Sequence, residues 1–283
     1  MAHEESGARQ LSDIFAGQPS DEDLLAELYD LEHDAIGEDI VFYRELSRRS
    51  RGPILDLGCG SGRLFPAFLD GRRRARIVGL DGSAALLRRA GARIAAHERL
   101  AAAAASGRIE LVHGDVRSID RRDRFGLVVV AGVLAHLEGP EAASRMLAHI
   151  VRLLSRRGQA VIDTIGPGGL PERDLPLSVD WRRSLHGREA VRRSRIVRRE
   201  GPEGLRVLFS TVVDSVGADG TIARLPASYR LWYPSPETIV HLAEAAGLMV
   251  EMTYGSHDLE PAGPESERCI VVARRAERPG AAG

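Results

Sequence analysis

The chain has 283 residues, of which 43% are hydrophobic and 28% charged, and a formal net charge of -1. That length fits one large domain or two modest ones with a sizeable core, and the composition argues against disorder. The near-zero charge lacks the basic excess expected of a nucleic-acid binder. The longest charge-free apolar run, residues 125–137, has 13 residues. A membrane span needs about 20, so no membrane partner is expected. No basic region leads into an apolar stretch at the N-terminus, so the expected location is cytoplasmic. Two cysteines, Cys59 and Cys269, are too few for a disulfide scaffold or a four-thiolate zinc site, and no metal is expected. All 39 basic residues are arginine, and lysine and asparagine are missing. A GC-rich genome accounts for both gaps, which still exclude a lysine Schiff base or a P-loop lysine.

Residues 1–20 carry no clear period. From residue 21 to 47 the pattern is helical, with Leu24, Leu25, Leu28, Tyr29 and Leu31 recurring near 3.6 spacing. A second helical stretch, residues 39–49, places Ile40, Phe42, Tyr43 and Leu46 likewise, and Gly52-Pro53 punctuates it. Short apolar runs at 54–57, 75–80, 109–112, 127–131 and 159–162 then alternate with helical stretches such as 83–95 and 141–154. Gly158 stands where a C-terminal cap of the latter helix would fall. The alanine run 101–105 reads as helix surface or a frayed helix end. This alternation predicts a parallel, doubly wound α/β sheet.

Between residues 166 and 235 the alternation stops. Three β-rich runs, 191–199, 205–214 and 221–233, are separated by Gly201-Pro202-Glu203-Gly204 and Gly217-Ala218-Asp219-Gly220. They predict an inserted antiparallel meander. Ser235-Pro236-Glu237 opens a helix that closes at Gly247, and strands follow at 248–254 and 269–274.

The first strand runs into Asp56-Leu57-Gly58-Cys59-Gly60-Ser61-Gly62-Arg63. Glycines at 58, 60 and 62 let the backbone turn tightly and approach a ligand. The position of a third dinucleotide-fingerprint glycine holds Arg63, which disfavours an NAD-dependent oxidoreductase. Carboxylates follow the next two strands, in Leu80-Asp81-Gly82-Ser83 and Gly114-Asp115-Val116. One there can accept both hydroxyls of a ribose, the other an adenine amine. Val130-Ala131-Gly132-Val133 ends the fourth strand with small residues. Open α/β sheets bind ligands at this carboxyl edge.

At these residues the chain resembles the class I S-adenosylmethionine-dependent methyltransferases of small-molecule, natural-product type. The stretches 54–63, 79–83 and 113–116 carry the resemblance, joined by Tyr29-Asp30 upstream and residues 233–247 downstream. The resemblance implies a Rossmann-like seven-stranded sheet whose last strand is antiparallel. It implies S-adenosylmethionine as cofactor, the loop residues Asp56, Gly58, Cys59, Gly60, Gly62 and Arg63 under its methionine, and Asp81, Gly82 and Ser83 at its ribose. Asp115 or the Val116 amide then binds adenine, Ala131 leaves room beside the cofactor, and Tyr29 closes over it. The residues leave alternatives open: Asp56 contacts the ligand or only fixes the loop amides, and Tyr29 closes the site or only packs. The expected organisation is a helical N-terminal lid (1–50), a cofactor-binding core (51–165), an antiparallel cap over the acceptor (166–235), completion of the core (236–275) and a disordered tail (276–283).

For the acceptor, a small molecule that is an aromatic or heteroaromatic secondary metabolite is expected, methylated on N, O or electron-rich C. His136, in a loop after the fourth strand, is the expected general base, with Tyr29 as its catalytic companion. His33, Trp181, Tyr229, Trp232 and Tyr233 are the expected acceptor contacts, because four aromatics gather there in a chain only 5% aromatic. His113 reads as structural, and Asp163 as a weaker catalytic candidate. The arginine-rich segment 182–199 offers RNA methylation as an alternative, against a solvated strand face. A noncatalytic cofactor-binding module is a further alternative, and a homodimer is left open.

Overall fold

The computed structural model describes residues 21–119 and 121–276. The expectations for residues 1–20 and for residues 277–283 of the 276–283 tail lie outside the described residues.

The α/β alternation becomes a seven-stranded sheet. Its first five strands are β1 (Ile54–Leu57), β2 (Ile77–Asp81), β3 (Ile109–His113), β4 (Phe125–Ala131) and β5 (Leu154–Ile165). Later come β10 (Leu248–Tyr254) and β11 (Arg268–Arg275). The order is β10-β11-β5-β4-β1-β2-β3. Neighbours pair in parallel except β11, which runs antiparallel to both β5 and β10. The strands read as continuous apolar runs because both faces are covered. Leu55, Leu57, Val128, Val130 and Ile162 belong to one core, and Ile54, Ile77, Leu127, Val129 and Val161 to the other. The first core is closed by α6 (Pro140–Leu153) and α7 (Pro236–Ala245), through Met146, Leu147, Ile150 and Ile239. The second is closed by α2 (Ile40–Arg49), α3 (Phe65–Gly71), α4 (Ala84–Ala96) and α5 (Glu98–Ala105).

Caps set the entry of two helices. Ser83 Oγ accepts from the Leu86 amide at 3.2 Å, and Ser235 Oγ from the Thr238 amide at 3.2 Å. The alanine run lies in α5, with Ala103 buried. Gly158 does not cap α6. The helix ends at Leu153, and Gly158 lies inside β5, where a Cβ would come 2.6 Å from the Phe125 carbonyl oxygen. Close approach of two strands, not a cap, requires that glycine.

The insert has four strands, not three: β6 (Leu175–Leu185), β7 (Arg188–Gly201), β8 (Gly204–Val216) and β9 (Ile222–Tyr233), antiparallel in that order. Sequence reading misses β6 because it is an edge strand, exposed along nearly its whole length, so no buried face imprints an alternation. Helix α1 (Asp21–His33) packs Leu24, Leu25 and Leu28 against Ala190, Val213 and Leu225 of this second sheet. It is also tied to α4. Asp30 takes Arg89 and Arg93, and Arg93 reaches Asp34 at 2.6 Å and the Ser61 carbonyl at 2.9 Å. Thus α1 bridges the insert, the glycine loop and α4.

Candidate active site

A cleft of about 1880 Å³ runs along the carboxyl edge of the large sheet, under α1. At its β1 end, Gly58 and Gly60 have φ of +72° and +55°, in the left-handed region. A Cβ on Gly58 would come 2.2 Å from Val133 Cγ2, and one on Gly60 would come 3.2 Å from the Tyr29 hydroxyl. The backbone is therefore bare where a ligand approaches, with Tyr29 beside it. Burial pushes the Tyr29 hydroxyl up to about 12, so it is an uncharged donor. Its ring stacks on His33 at 4.0 Å.

Asp81 organises this end. Its Oδ2 accepts from the Gly60 amide and its Oδ1 from the Ser83 amide, both at 2.8 Å. It thus does the loop-bracing expected of Asp56, and its remaining lone pairs are free for further donors. Asp56 is buried and makes no side-chain hydrogen bond among the described residues. Burial first, and then the Asp81 charge, push its carboxyl up to about 7. Asp115 is engaged by Arg117, whose backbone amide donates to Oδ1 at 2.8 Å. The Arg117 guanidinium holds the Asp115 carboxyl below the usual range. Arg63 is held by Asp39 and donates to the Ile36 carbonyl at 3.0 Å.

Beyond β4 the cleft widens. His136 sits in a 3-10 turn (Leu134–His136), its ring edge-on to Tyr229 of β9 at 6.4 Å. Desolvation by the cleft walls pushes the imidazole below its ordinary pKa, partly offset by Asp81. Asp163 and His257 line the far floor, and Tyr233 stands on the wall. Residues 255–267 add Asp258, Glu260, Glu265 and Glu267 to the lining, each exposed. Among the described residues none of these four carboxylates has a cationic partner within ion-pair distance.

Residues 54–158 match the family model described as a methyltransferase domain. That stretch of the chain is similar to a methyltransferase domain. No curated protein matches the chain's sequence. Among solved structures, the methyltransferase CcbJ from Streptomyces caelestis is similar at 19% identity over 94% of this chain and 96% of that one, with a TM-score of 0.67. The sugar N-methyltransferase KedS8 from Streptoalloteichus sp. is 20% identical over 89% of this chain and 92% of its own, with a TM-score of 0.69. CalS10 from Micromonospora echinaspora, an amino pentose methyltransferase with SAM bound, is 21% identical over 95% of this chain and 97% of its own, with a TM-score of 0.59. These likenesses show a common fold over nearly the whole chain.

Tyr29, Gly58, Gly60, Arg63, Asp81 and Gly82 line the cleft, with Asp115, Val116 and Ala131 further along. His33, His136 and Tyr233 also line it. Asp56, Cys59, Gly62 and Ser83 lie behind the loop and do not. Cys59 is buried, and burial raises its thiol far above the reactive range. The expected aromatic cluster is divided. Trp232 is 1% exposed, packs in the core with Leu134, Leu137 and Ile239, and donates to the Glu203 carbonyl at 3.2 Å. It shares the alternation parity of Arg224, Ser228 and Arg230, but the end of β9 passes over the core and buries it. Trp181 packs under α1 and donates to Glu32 at 3.2 Å. Tyr229 faces His136 from outside the lining set. In the arginine-rich segment, Arg192 pairs with Glu32 and Asp180, Arg193 with Asp214, and Arg199 with Asp174. These are cross-strand, helix-to-sheet and loop-to-strand pairs, so the segment is no continuous free basic stripe. Asp163, at the end of β5, is joined by Tyr43, His257 and Arg268. His257 and Arg268 escaped the sequence reading, because no local motif marks residues that meet only in the fold.

Proposed function

We propose that the protein transfers the methyl group of S-adenosylmethionine to an amine nitrogen of a small-molecule acceptor. The arrangement of Asp81 carries the cofactor half of this reading. One carboxylate braces the bare glycine loop and the start of α4, and keeps lone pairs for the two ribose hydroxyls. Asp115 and Val116 are placed for adenine, Gly58, Gly60 and Arg63 for the methionine end, and Tyr29 for closure from α1. The residues present fit that group: a cradle too tight for any Cβ at Gly58, and acceptors aimed at a diol. Bound there, S-adenosylmethionine supplies an electrophilic methyl on a sulfonium.

The chain's own task is alignment and proton management. With the adenosine over β2 and β3 and the methionine over β1, the strand order supports an acceptor position above the ends of β4 and β5. There His136 and Tyr233 form its walls. The unpaired carboxylates of 255–267 attract a cation to that end, which favours a protonated amine over a phenol or an indole. KedS8 acts on a sugar nitrogen and CalS10 on an amino pentose, in support of the same acceptor class. The test is calorimetry with S-adenosylmethionine and with NAD, followed by transfer of tritium from methyl-labelled cofactor to a panel of amino sugars, phenols and indoles. Binding of the first nucleotide alone and label on the amines is the expected result. Label confined to phenols or indoles overturns the acceptor, and binding of NAD alone overturns the class.

A further inference from the structure

Four residues distant in the chain meet at the floor of the cleft. Asp163 is 1% exposed. Its Oδ2 accepts from the Tyr43 hydroxyl at 2.6 Å and from His257 Nε2 at 2.8 Å, and its Oδ1 accepts from Arg268 Nε at 3.0 Å. Burial alone would raise this carboxyl, but the hydrogen bond from His257 and the charge of Arg268 outweigh it and hold it below the usual range. Asp163 is therefore an anion, and an anionic Oδ2 places the imidazole proton on Nε2. A neutral His257 then has a bare lone pair on Nδ1. No described residue bonds that nitrogen, and His257 lines the cleft.

We propose that His257 is the base that receives the acceptor's proton, with Asp163 as its positioning residue. The inference rests on the cleft being the methyl-transfer site. In the step, an N–H bond of the acceptor ammonium breaks, its electron pair stays on nitrogen, and the proton joins Nδ1. That pair then forms the new N–C bond while the S–C pair departs to sulfur. His257 ends as an imidazolium, with Nε2 still on Asp163.

Place and charge both favour this imidazole. Asp163 is the register partner of Ala131, and its carbonyl accepts from the Gly132 amide at 2.9 Å. The pair thus stands one strand beyond the end of β4, beside the acceptor's position. Every group facing His257 suits a proton that comes and goes. Arg268 shares the Asp163 carboxylate, Tyr43 is uncharged, and Phe42 offers a ring at 5.5 Å. Asp258 follows in the chain on the cleft side. His136 has the opposite setting. Its ring is open to solvent and has no hydrogen-bond partner among the described residues, so no carboxylate fixes its tautomer or aims its lone pair as Asp163 does for His257. It contacts the acceptor as an uncharged wall.

The test has two arms. In the first, side-chain nitrogen-15 spectra of histidine-labelled protein are recorded in complex with S-adenosylhomocysteine near neutral pH. The proposal expects the His257 proton on Nε2 and an unprotonated Nδ1, with Asp163→Asn losing that preference. A proton on Nδ1, or an imidazolium that persists above neutrality, overturns it. In the second arm, single-turnover methylation is measured with D-glucosamine as probe acceptor. His257→Gln is expected to lower the rate by about 10²- to 10⁴-fold, with unchanged affinity for S-adenosylhomocysteine and unchanged Tm. His136→Gln is expected to lower it far less, and the reverse ranking overturns the assignment. If the wild-type protein leaves D-glucosamine unmethylated, the spectra alone decide the role of His257, and the panel of acceptors decides the amine reading separately.

Discussion

Replacing Asp81 tests the cofactor half of the site, and the structure sets the size of the effect. The carboxylate braces the Gly60 and Ser83 amides at 2.8 Å each, and the proposed function assigns its other lone pairs to the ribose. Hydrogen bonds to a charged acceptor contribute about 1.5–3 kcal/mol net. Asp81→Ala is therefore expected to weaken binding of S-adenosylhomocysteine roughly 10- to 150-fold. The two lost amide bonds cost about 1–3 kcal/mol of stability, or about 2–5 °C in Tm for a chain of this size. Asp81→Asn separates the effects, since it keeps the shape and one acceptor oxygen but turns an NH2 toward donors. Its Tm should fall less than that of the alanine variant, while its affinity falls comparably. Isothermal calorimetry and thermal unfolding on both variants provide the check. A folded Asp81→Ala protein that binds the ligand as tightly as wild type would remove this residue from the ribose site.

Three further outcomes follow from other parts of the fold. Asp56 is pushed from the ordinary 3.8 to about 7, so the folded state holds that proton more tightly than the unfolded chain. Its stabilising contribution is complete below about pH 4 and is lost as pH rises toward 7. Asp56→Asn should flatten that limb of the Tm–pH curve, and an unaltered slope would contradict the burial argument. Asp30→Ala frees Arg89 from α1 and leaves Arg93 only its Asp34 contact there, so S-adenosylhomocysteine should dissociate faster in stopped-flow measurements. An unchanged dissociation rate would mean that α1 does not hold the ligand in. Trp232→Ala should cost about 3–5 kcal/mol of stability, because the ring is a core side chain. Loss of acceptor affinity at constant Tm would return this residue to the pocket.

The cofactor edge was legible because its parts are adjacent in sequence. Gly58 and Gly60 lie just past β1 and Asp81 is the last residue of β2, and parallel strands of this order deliver all three to one edge. The cluster around Asp163 was not legible. Tyr43, Asp163, His257 and Arg268 come from a helix, two strands and a loop, and only antiparallel pairing of β11 on β5 brings the last three together. The division of the aromatics failed for a related reason. Alternation along β9 correctly separates its two faces, but which stretch of a face meets another layer depends on where the strand crosses the core, and Trp232 lies at that crossing. The missing strand β6 has no inward face to betray it.

A crystal structure of the protein with S-adenosylhomocysteine tests the central claim most directly. The account predicts both ribose hydroxyls within hydrogen-bond distance of Asp81, adenine beside Val116, and the sulfur over the Gly58–Gly60 turn facing the space between His136 and His257. A ligand seated elsewhere in the cleft, or one whose sulfur faces away from both imidazoles, would contradict it.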